Sequence, residues 1–319
     1  MKDCSIKETA DILQKSNHIA LVAHINPDGD AVGSLLGLGN ALSKMSKRVY
    51  MFIDDDIPEQ FAFLTNIGQI QRFAFAEPLP VDLLVVLDSS DFDRVGKAKE
   101  KVNFTQSLNI DHHISNEGFT DFRCLDVKAA ATCEMIVALL DELAVEIDEE
   151  IAQALYLGIV TDCGFFRYAN TTSKTMHVAA KLLDYGVVPN EIADYIETQT
   201  VETVMILPKV LETMEFYLDN KVASISVSPD LYREGVDSDI YVKYPRYISG
   251  VQVALLFKGV SDEVTRISMR SKSLDVSKIA TLFDGGGHKL AAGCTIQGDI
   301  KTAKELIVKA LAEHMREDS

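Results

Sequence analysis

The run Ile19-Ala20-Leu21-Val22-Ala23 leads directly into His24-Ile25-Asn26-Pro27-Asp28-Gly29-Asp30. Five apolar residues without polar alternation read as a strand buried on both faces, as in a parallel sheet covered by helices. An imidazole and two carboxylates in the next turn are a costly way to leave such a strand unless they hold a ligand. The pattern recurs: 82–87, near-continuous apolar, runs into Asp88; 106–110 runs into Asp111-His112-His113; and 48–53 ends in Asp54-Asp55-Asp56. Ligands of open parallel sheets bind outside the carboxyl ends of the strands, so His24, Asp28, Asp30, Asp88, His112 and His113 are placed at one edge. A single aspartate or histidine there is usually a cap or a loop residue. Six form a constellation.

Helical patterns fill the intervals. Asp30 is expected to cap a helix over 31–45, whose Gly33, Ser34, Gly37 and Gly39 would let it pack closely on the sheet. Further helices are expected over 129–143 and 148–160, then 173–185 and 189–199. The alternation predicts an α/β domain. Asp162, just past the apolar run 155–160, supplies a seventh ligand candidate.

A chain of 319 residues has room for two domains. Its 31 basic and 48 acidic residues give a formal charge of -17, unevenly placed: Met1 to Val204 holds 16 basic and 32 acidic residues, the remainder 15 and 16. The acidic part repels a long polyanion, so long duplex nucleic acid is not an expected partner. Divalent cations would neutralise part of that excess, and the near-neutral part can supply cations to an anionic substrate. Five scattered cysteines without a Cys-x-x-Cys pair exclude a disulfide framework and a thiolate zinc site. With no apolar run long enough for a membrane span and no signal-peptide core, the expectation is a cytoplasmic protein without membrane contact.

The second part reads as strands over 221–227, 250–257 and 263–269 and helices over 275–283 and 301–315. Between them lies Asp284-Gly285-Gly286-Gly287-His288-Lys289, read as a loop whose backbone N–H groups can converge on an anion. With Arg266 and Arg270 just upstream, a phosphate site is the better reading than a flexible turn. Seven imidazole and carboxylate candidates exceed the needs of one ion. Two divalent ions, manganese first by ligand type, would use them to activate a water and steady the attacking and leaving oxygens in phosphoester hydrolysis.

His24-x-x-x-Asp28-x-Asp30, Asp88, Asp111-His112-His113 and Thr161-Asp162-x-Gly164 resemble the four motifs of the DHH phosphoesterase superfamily, and the Gly-Gly-Gly-His stretch resembles its associated C-terminal domain. Size and layout look most like the nanoRNase and 3'-phosphoadenosine-5'-phosphate phosphatase group. The resemblance implies a parallel-sheet catalytic domain over 1–187, a helical linker over 188–213 and a smaller α/β substrate-binding domain over 214–319, with the active site in the cleft between domains. It implies one Mn2+ on His24, Asp28 and Asp88 and another on Asp30, Asp88, His112 and Asp162, with Asp88 bridging. Asp111 would orient His112, and His113 would face the scissile phosphate.

Arg270, Ser271, Gly285, Gly286, Gly287 and His288 would hold the far phosphate or terminal nucleotide, with Arg266, Asn116 and Arg167 as further contacts. Asp284 and Cys163 depart from the usual glycine and threonine, raising the prospect of altered substrate binding and of oxidation near the metals. The implied activity is 3'-5' exonuclease action on short RNA or DNA oligonucleotides, extending to removal of the 3'-phosphate of phosphoadenosine phosphate. Cleavage of cyclic or linear dinucleotides such as c-di-AMP or pApA is the enzymatic alternative, and a non-catalytic nucleotide sensor the alternative of another class. A homodimer stays open as the assembly.

Overall fold

The computed structural model describes residues 1–233 and 238–317, and the side chains of His288, Arg316 and Glu317 lie outside the described residues. The chain forms two compact units, Met1–Thr198 and Gln199–Ser319.

In the first unit the strands are β1 (Lys2–Asp3), β2 (His18–Val22), β3 (Arg48–Phe52), β4 (Ile70–Gln71), β5 (Leu79–Leu87), β6 (Val102–Asp111) and β7 (Phe122–Leu125). They form one sheet in the order β1-β7-β6-β5-β2-β3-β4, every described pairing parallel. Successive side chains of a strand point to opposite faces, and the two cores follow from that. Ile19, Leu21, Leu83, Val85 and Leu87 enter the larger core, whereas Ala20, Val22, Leu84 and Val86 enter the smaller one on the other side. Each fully buried aliphatic side chain contributes about 1.5–3 kcal/mol, so the α/β expectation rests on a doubly buried central sheet.

The helices are α1 (Ile6–Lys15), α2 (Gly29–Lys44), α3 (Ala98–Lys101), α4 (Thr132–Glu142), α5 (Glu149–Asp162), α6 (Ser173–Leu183) and α7 (Pro189–Glu197). Two expectations about α2 are corrected. Its cap is Asp28, whose Oδ1 accepts from the N–H groups of Asp30 and Ala31 at 3.1 and 3.0 Å, because Asp28 keeps extended backbone while Gly29 and Asp30 are already helical. Its small residues mostly face α5 rather than the sheet: a Cβ on Gly33 would lie 2.3 Å from the Ala154 carbonyl oxygen, and one on Gly37 2.4 Å from Leu155 Cδ2. Only Gly39 of these glycines meets the sheet, against Met51 of β3.

In the second unit α8 (Val201–Glu212) precedes β8 (Glu215–Tyr217), β9 (Val222–Val227), α9 (Lys243–Tyr247), β10 (Val253–Gly259), β11 (Val264–Ser271), α10 (Val276–Thr281), β12 (Gly286–His288), β13 (Ala291–Gln297) and α11 (Ile300–Glu317). Its mixed sheet runs β12-β13-β11-β10-β9-β8. α8, within the segment read as a linker, buries Val210 with Ile225, Val227, Ala254 and Leu256 of that sheet. The glycine-rich stretch differs from the expected loop: Gly286 to His288 pair with Gly293 to Ala291 as an antiparallel edge strand. Gly287 there takes φ 136° and a Cβ on Gly285 would lie 2.3 Å from the Gly293 oxygen, so the close approach of β12 to β13 requires glycine. Among the described residues no helix is long and apolar enough to cross a membrane.

Candidate metal centre

The sheet order reverses between β2 and β5, the two strands from which the chain winds outward in opposite directions. A crevice at such a switch point lies beyond the carboxyl ends of those strands. Val22 pairs with Val86, and Leu87 with Ile110. Counting on from those registers, His24, Asp88 and Asp111 leave β2, β5 and β6 in one row. Asp88 takes φ 53°, a left-handed turn that aspartate tolerates, and its N–H still donates to Ile110 at 3.0 Å. α2 then starts beside the row with Asp28 and Asp30, and α5 ends there with Asp162.

These side chains meet in three overlapping groups. His24 Nε2 lies 3.7 Å from Asp28 Oδ1 and 3.5 Å from Asp88 Oδ2. His112 Nε2 lies 3.5 Å from Asp88 Oδ1, 3.5 Å from Asp162 Oδ2 and 3.9 Å from Asp30 Oδ2. His113 Nδ1 lies 3.7 Å from Asp88 Oδ1. Each triplet, His24-Asp28-Asp88, Asp30-His112-Asp162 and Asp88-His112-His113, has its ligand atoms within 4.8 Å of one another. Asp88 is thus the carboxylate that all three imidazoles share.

Four carboxylates gathered in one place, Asp30 and Asp88 buried, Asp162 half-buried and Asp28 exposed, need positive charge among them. Burial, with Asp28 and Asp88 nearby, pushes the Asp162 carboxyl up to about 7. Burial and then Asp88 and Asp162 push Asp30 well above the usual carboxylate range. The complementary effect is at His24, where burial opposes the charged ring but Asp28 and Asp88 prevail and raise it to about 10. A field that would hold an imidazolium is the field that draws a divalent cation, and the mixed imidazole-carboxylate donor set fits one. Ring orientation is fixed from behind, as metal-binding histidines require: His24 Nδ1 faces Ile25 O at 2.8 Å and His112 Nδ1 faces Ala129 O at 3.3 Å.

The expected partnership of Asp111 with the His112 ring is replaced by one with His113. Asp111 Oδ1 is 2.6 Å from His113 Nδ1, and it accepts from the backbone N–H of His112 at 2.9 Å. Its other oxygen accepts from Asn116 Nδ2 at 2.6 Å. Asn116 is therefore misread as a substrate contact: buried, it spends its amide on Asp111 and on Asn109 Oδ1, also at 2.6 Å. Arg167 Nε donates to Gly164 O at 2.7 Å, and its exposed guanidinium reaches Glu197. Cys163 is fully buried with its sulfur accepting from Phe166 N–H, and burial pushes the thiol up, so the expected oxidation sensitivity has no accessible thiolate behind it.

In the second unit Arg266, Ser268 and Arg270 alternate along β11 and share one face with Thr295, Gly293 and Ala291 of the neighbouring strand. On the other side of β11 the same face carries Ala254, Leu256 and Lys258 of β10, and Ser268, between the two arginines, donates to Asp239. Arg266 is exposed, and Arg270 Nη1 donates to Met269 O at 3.0 Å. Ser271 belongs to the opposite pleat and is buried, its hydroxyl accepting from Ser273 N–H at 3.2 Å. Asp284 takes φ 54°, the left-handed conformation in which glycine is at home and aspartate is tolerated, and is exposed. Thr132 and Asn170, which bond Asp30, Asp88 and the Asp162 carbonyl, and Glu134, which bonds the Ala130 N–H beside them, were not found by sequence reasoning; no spacing links them to the motifs.

Comparison with known proteins agrees with this geometry. Residues 18–159 match the DHH family N-terminal domain and residues 219–317 the DHHA1 domain. The chain is 35% identical over 303 residues to the bifunctional oligoribonuclease and PAP phosphatase NrnA of Thermus thermophilus, covering 93% of this chain and 90% of that protein. It is 26% identical to the protein of the same name in Bacillus subtilis, covering 87% and 89%. The crystal structure of an exopolyphosphatase-related protein from Bacteroides fragilis shares the fold, with a TM-score of 0.86 at 24% identity, covering 97% of this chain and 95% of that one.

Proposed function

The chain belongs to the DHH family, and on that premise we propose that it is a divalent-metal-dependent phosphoesterase that trims short oligoribonucleotides from the 3' end and removes the 3'-phosphate of 3'-phosphoadenosine 5'-phosphate. The observation that carries the reading is the convergence of His24, Asp28, Asp30, Asp88, His112 and Asp162 at one sheet edge. The relatives that span nearly the whole chain act, by their names, on oligoribonucleotides and PAP. A cytoplasmic location and a homodimer go with the same reading.

In this scheme His24, Asp28 and Asp88 hold one ion and Asp30, Asp88, His112 and Asp162 the other, manganese being the natural choice for a thiolate-free nitrogen and oxygen set. The chemistry such a pair supplies is activation of a water and neutralisation of charge on the attacking and leaving oxygens. The chain's own work is to hold and to move protons. Asp111, with no exposed surface, fixes the His113 ring through Nδ1. Nε2 is then the nitrogen that meets the scissile phosphate, as a stabiliser of the transition state or, when the ring carries both protons, as the general acid to the leaving oxygen. Arg270 and the Gly285 to His288 segment grip the distal phosphate, where a planar guanidinium binds two oxygens at once.

The decisive experiment is Asp88→Ala assayed with manganese on labelled di- to tetraribonucleotides, phosphoadenosine phosphate and cyclic dinucleotides. Wild type should release mononucleotide and phosphate only with the metal, and the variant should lose at least about a thousandfold in kcat while remaining folded. Full activity in Asp88→Ala overturns the bridging role. Tight nucleotide binding by wild type without product, in manganese, favours a sensor instead.

A further inference from the structure

α4 begins without a side-chain cap: its N-cap position is Ala131. The N–H groups of Thr132 and Cys133 donate instead to the two oxygens of Asp30, at 2.6 and 2.9 Å. The same short segment touches the ligand set in three more ways, two directly and one through Asn170. Thr132 Oγ1 donates to Asp88 Oδ1 at 3.1 Å, and Ala129 O faces His112 Nδ1 at 3.3 Å. Ala130 O accepts from Asn170 Nδ2, which also donates to Asp162 O, at 3.1 and 3.2 Å. Asp30, Asp88, His112 and Asp162 are thus all addressed by residues 129–133, and His24 and Asp28 by none of these bonds.

What fixes this segment is Glu134. Its side chain is fully buried, an expensive place for a carboxylate unless it is held on every side. Oε2 reaches back to the Ala130 N–H at 3.2 Å and accepts from Thr175 Oγ1 at 2.8 Å, while Oε1 lies 3.1 Å from Lys174 Nζ. The reach back alone would resemble the glutamate of a capping box. A capping role does not require burial or two partners from α6, an element remote in sequence.

We propose that Glu134, clamped by Thr175 and Lys174, is a positioning residue that sets the metal affinity of the Asp30-His112-Asp162 group, and acts on the His24-Asp28 group more weakly, through the shared Asp88 alone. The proposal rests on reading the cluster as a metal centre. Outer partners of metal ligands commonly account for 10- to 100-fold in affinity.

The test is calorimetric titration of the metal-free full chain with manganese, comparing wild type, Glu134→Gln and Thr175→Val, with circular dichroism to verify folding. Wild type should take up two ions. Glu134→Gln should weaken one of the two binding steps by about tenfold or more and the other, which shares only Asp88 with the segment, by clearly less. Thr175→Val, the milder change, should weaken the same step by less and guards against loss of folding in the first variant. Folded variants that bind both ions with wild-type affinity, even at a lowered melting temperature, overturn the positioning role and leave Glu134 as a packing residue. A wild type that takes up no manganese overturns the metal-centre reading itself, a failure visible before any variant is compared.

Discussion

Asp111 accepts from a ring nitrogen, a backbone N–H and an amide, and none of it reaches solvent. Such a carboxylate can fix a tautomer without itself meeting substrate. Asp111→Asn would keep the shape but offer the His113 ring a donor or a neutral acceptor, turning the proton to the wrong nitrogen. The expected outcome is a fall in kcat of roughly a hundredfold to ten-thousandfold, as for other histidines held by a buried carboxylate, with manganese uptake unchanged by calorimetry. Equal losses of metal and of activity would place Asp111 with the ligands. The residues that converge were legible as candidate ligands because each ends an apolar strand or opens or closes a helix. The choice between His112 and His113 was not, since neighbouring residues in a turn can face either way and only Asn116, approaching from the far side of Asp111, settles which ring the carboxylate meets.

At the level of elements, the strand-and-carboxylate pattern located β2, β5 and β6 because doubly buried strands must be continuously apolar. The glycines of α2 were legible as sites of close packing, but their partner was not: period-3.6 spacing says which face is narrow, not which neighbour fills it. Gly33 against the Ala154 carbonyl leaves no room for a methyl group, and backbone cannot step aside. Gly33→Ala should cost on the order of 3 kcal/mol in urea denaturation. Gly39→Ala meets the Met51 side chain, its sulfur nearest at 2.4 Å, a flexible chain rather than backbone, and gains helix propensity, so its cost should be well under half of that. Comparable losses at both sites would mean that α5 is free to shift.

The start of β2 carries a pH signature. Asp82 Oδ2 accepts from the N–H groups of His18 and Asn17, at 2.8 and 2.9 Å, and these hold its carboxyl below the usual range. A folded value below the unfolded one, about 3.9, means a contribution fully present above pH 4 that is lost as the pH falls through the folded value. Asp82→Asn keeps an acceptor but not the charge. Its melting temperature should therefore lie below that of wild type at neutral pH, and the gap should close below about pH 4. A constant gap across that range would show that the charge contributes nothing.

For the whole molecule the question is how a chain of net charge -17 handles a polyanionic substrate. Most of that charge belongs to the part that carries the candidate metal centre, where divalent ions would offset it locally, while the second part is near neutral and presents Arg266 and Arg270 on one sheet face. On the proposed function, few cations facing the substrate would hold few phosphates, so selection for short chains would follow from electrostatics without a dedicated length gauge. The salt dependence of KM reads that number directly, since each phosphate neutralised on a single strand contributes about 0.7 to the slope of log affinity against log salt. A trinucleotide should show a slope of roughly one to two such contributions. Arg270→Ala should raise KM about tenfold or more, change kcat far less, and remove about 0.7 from the slope. A large loss in kcat with the slope unchanged would move Arg270 from holding the substrate to taking part in the chemistry.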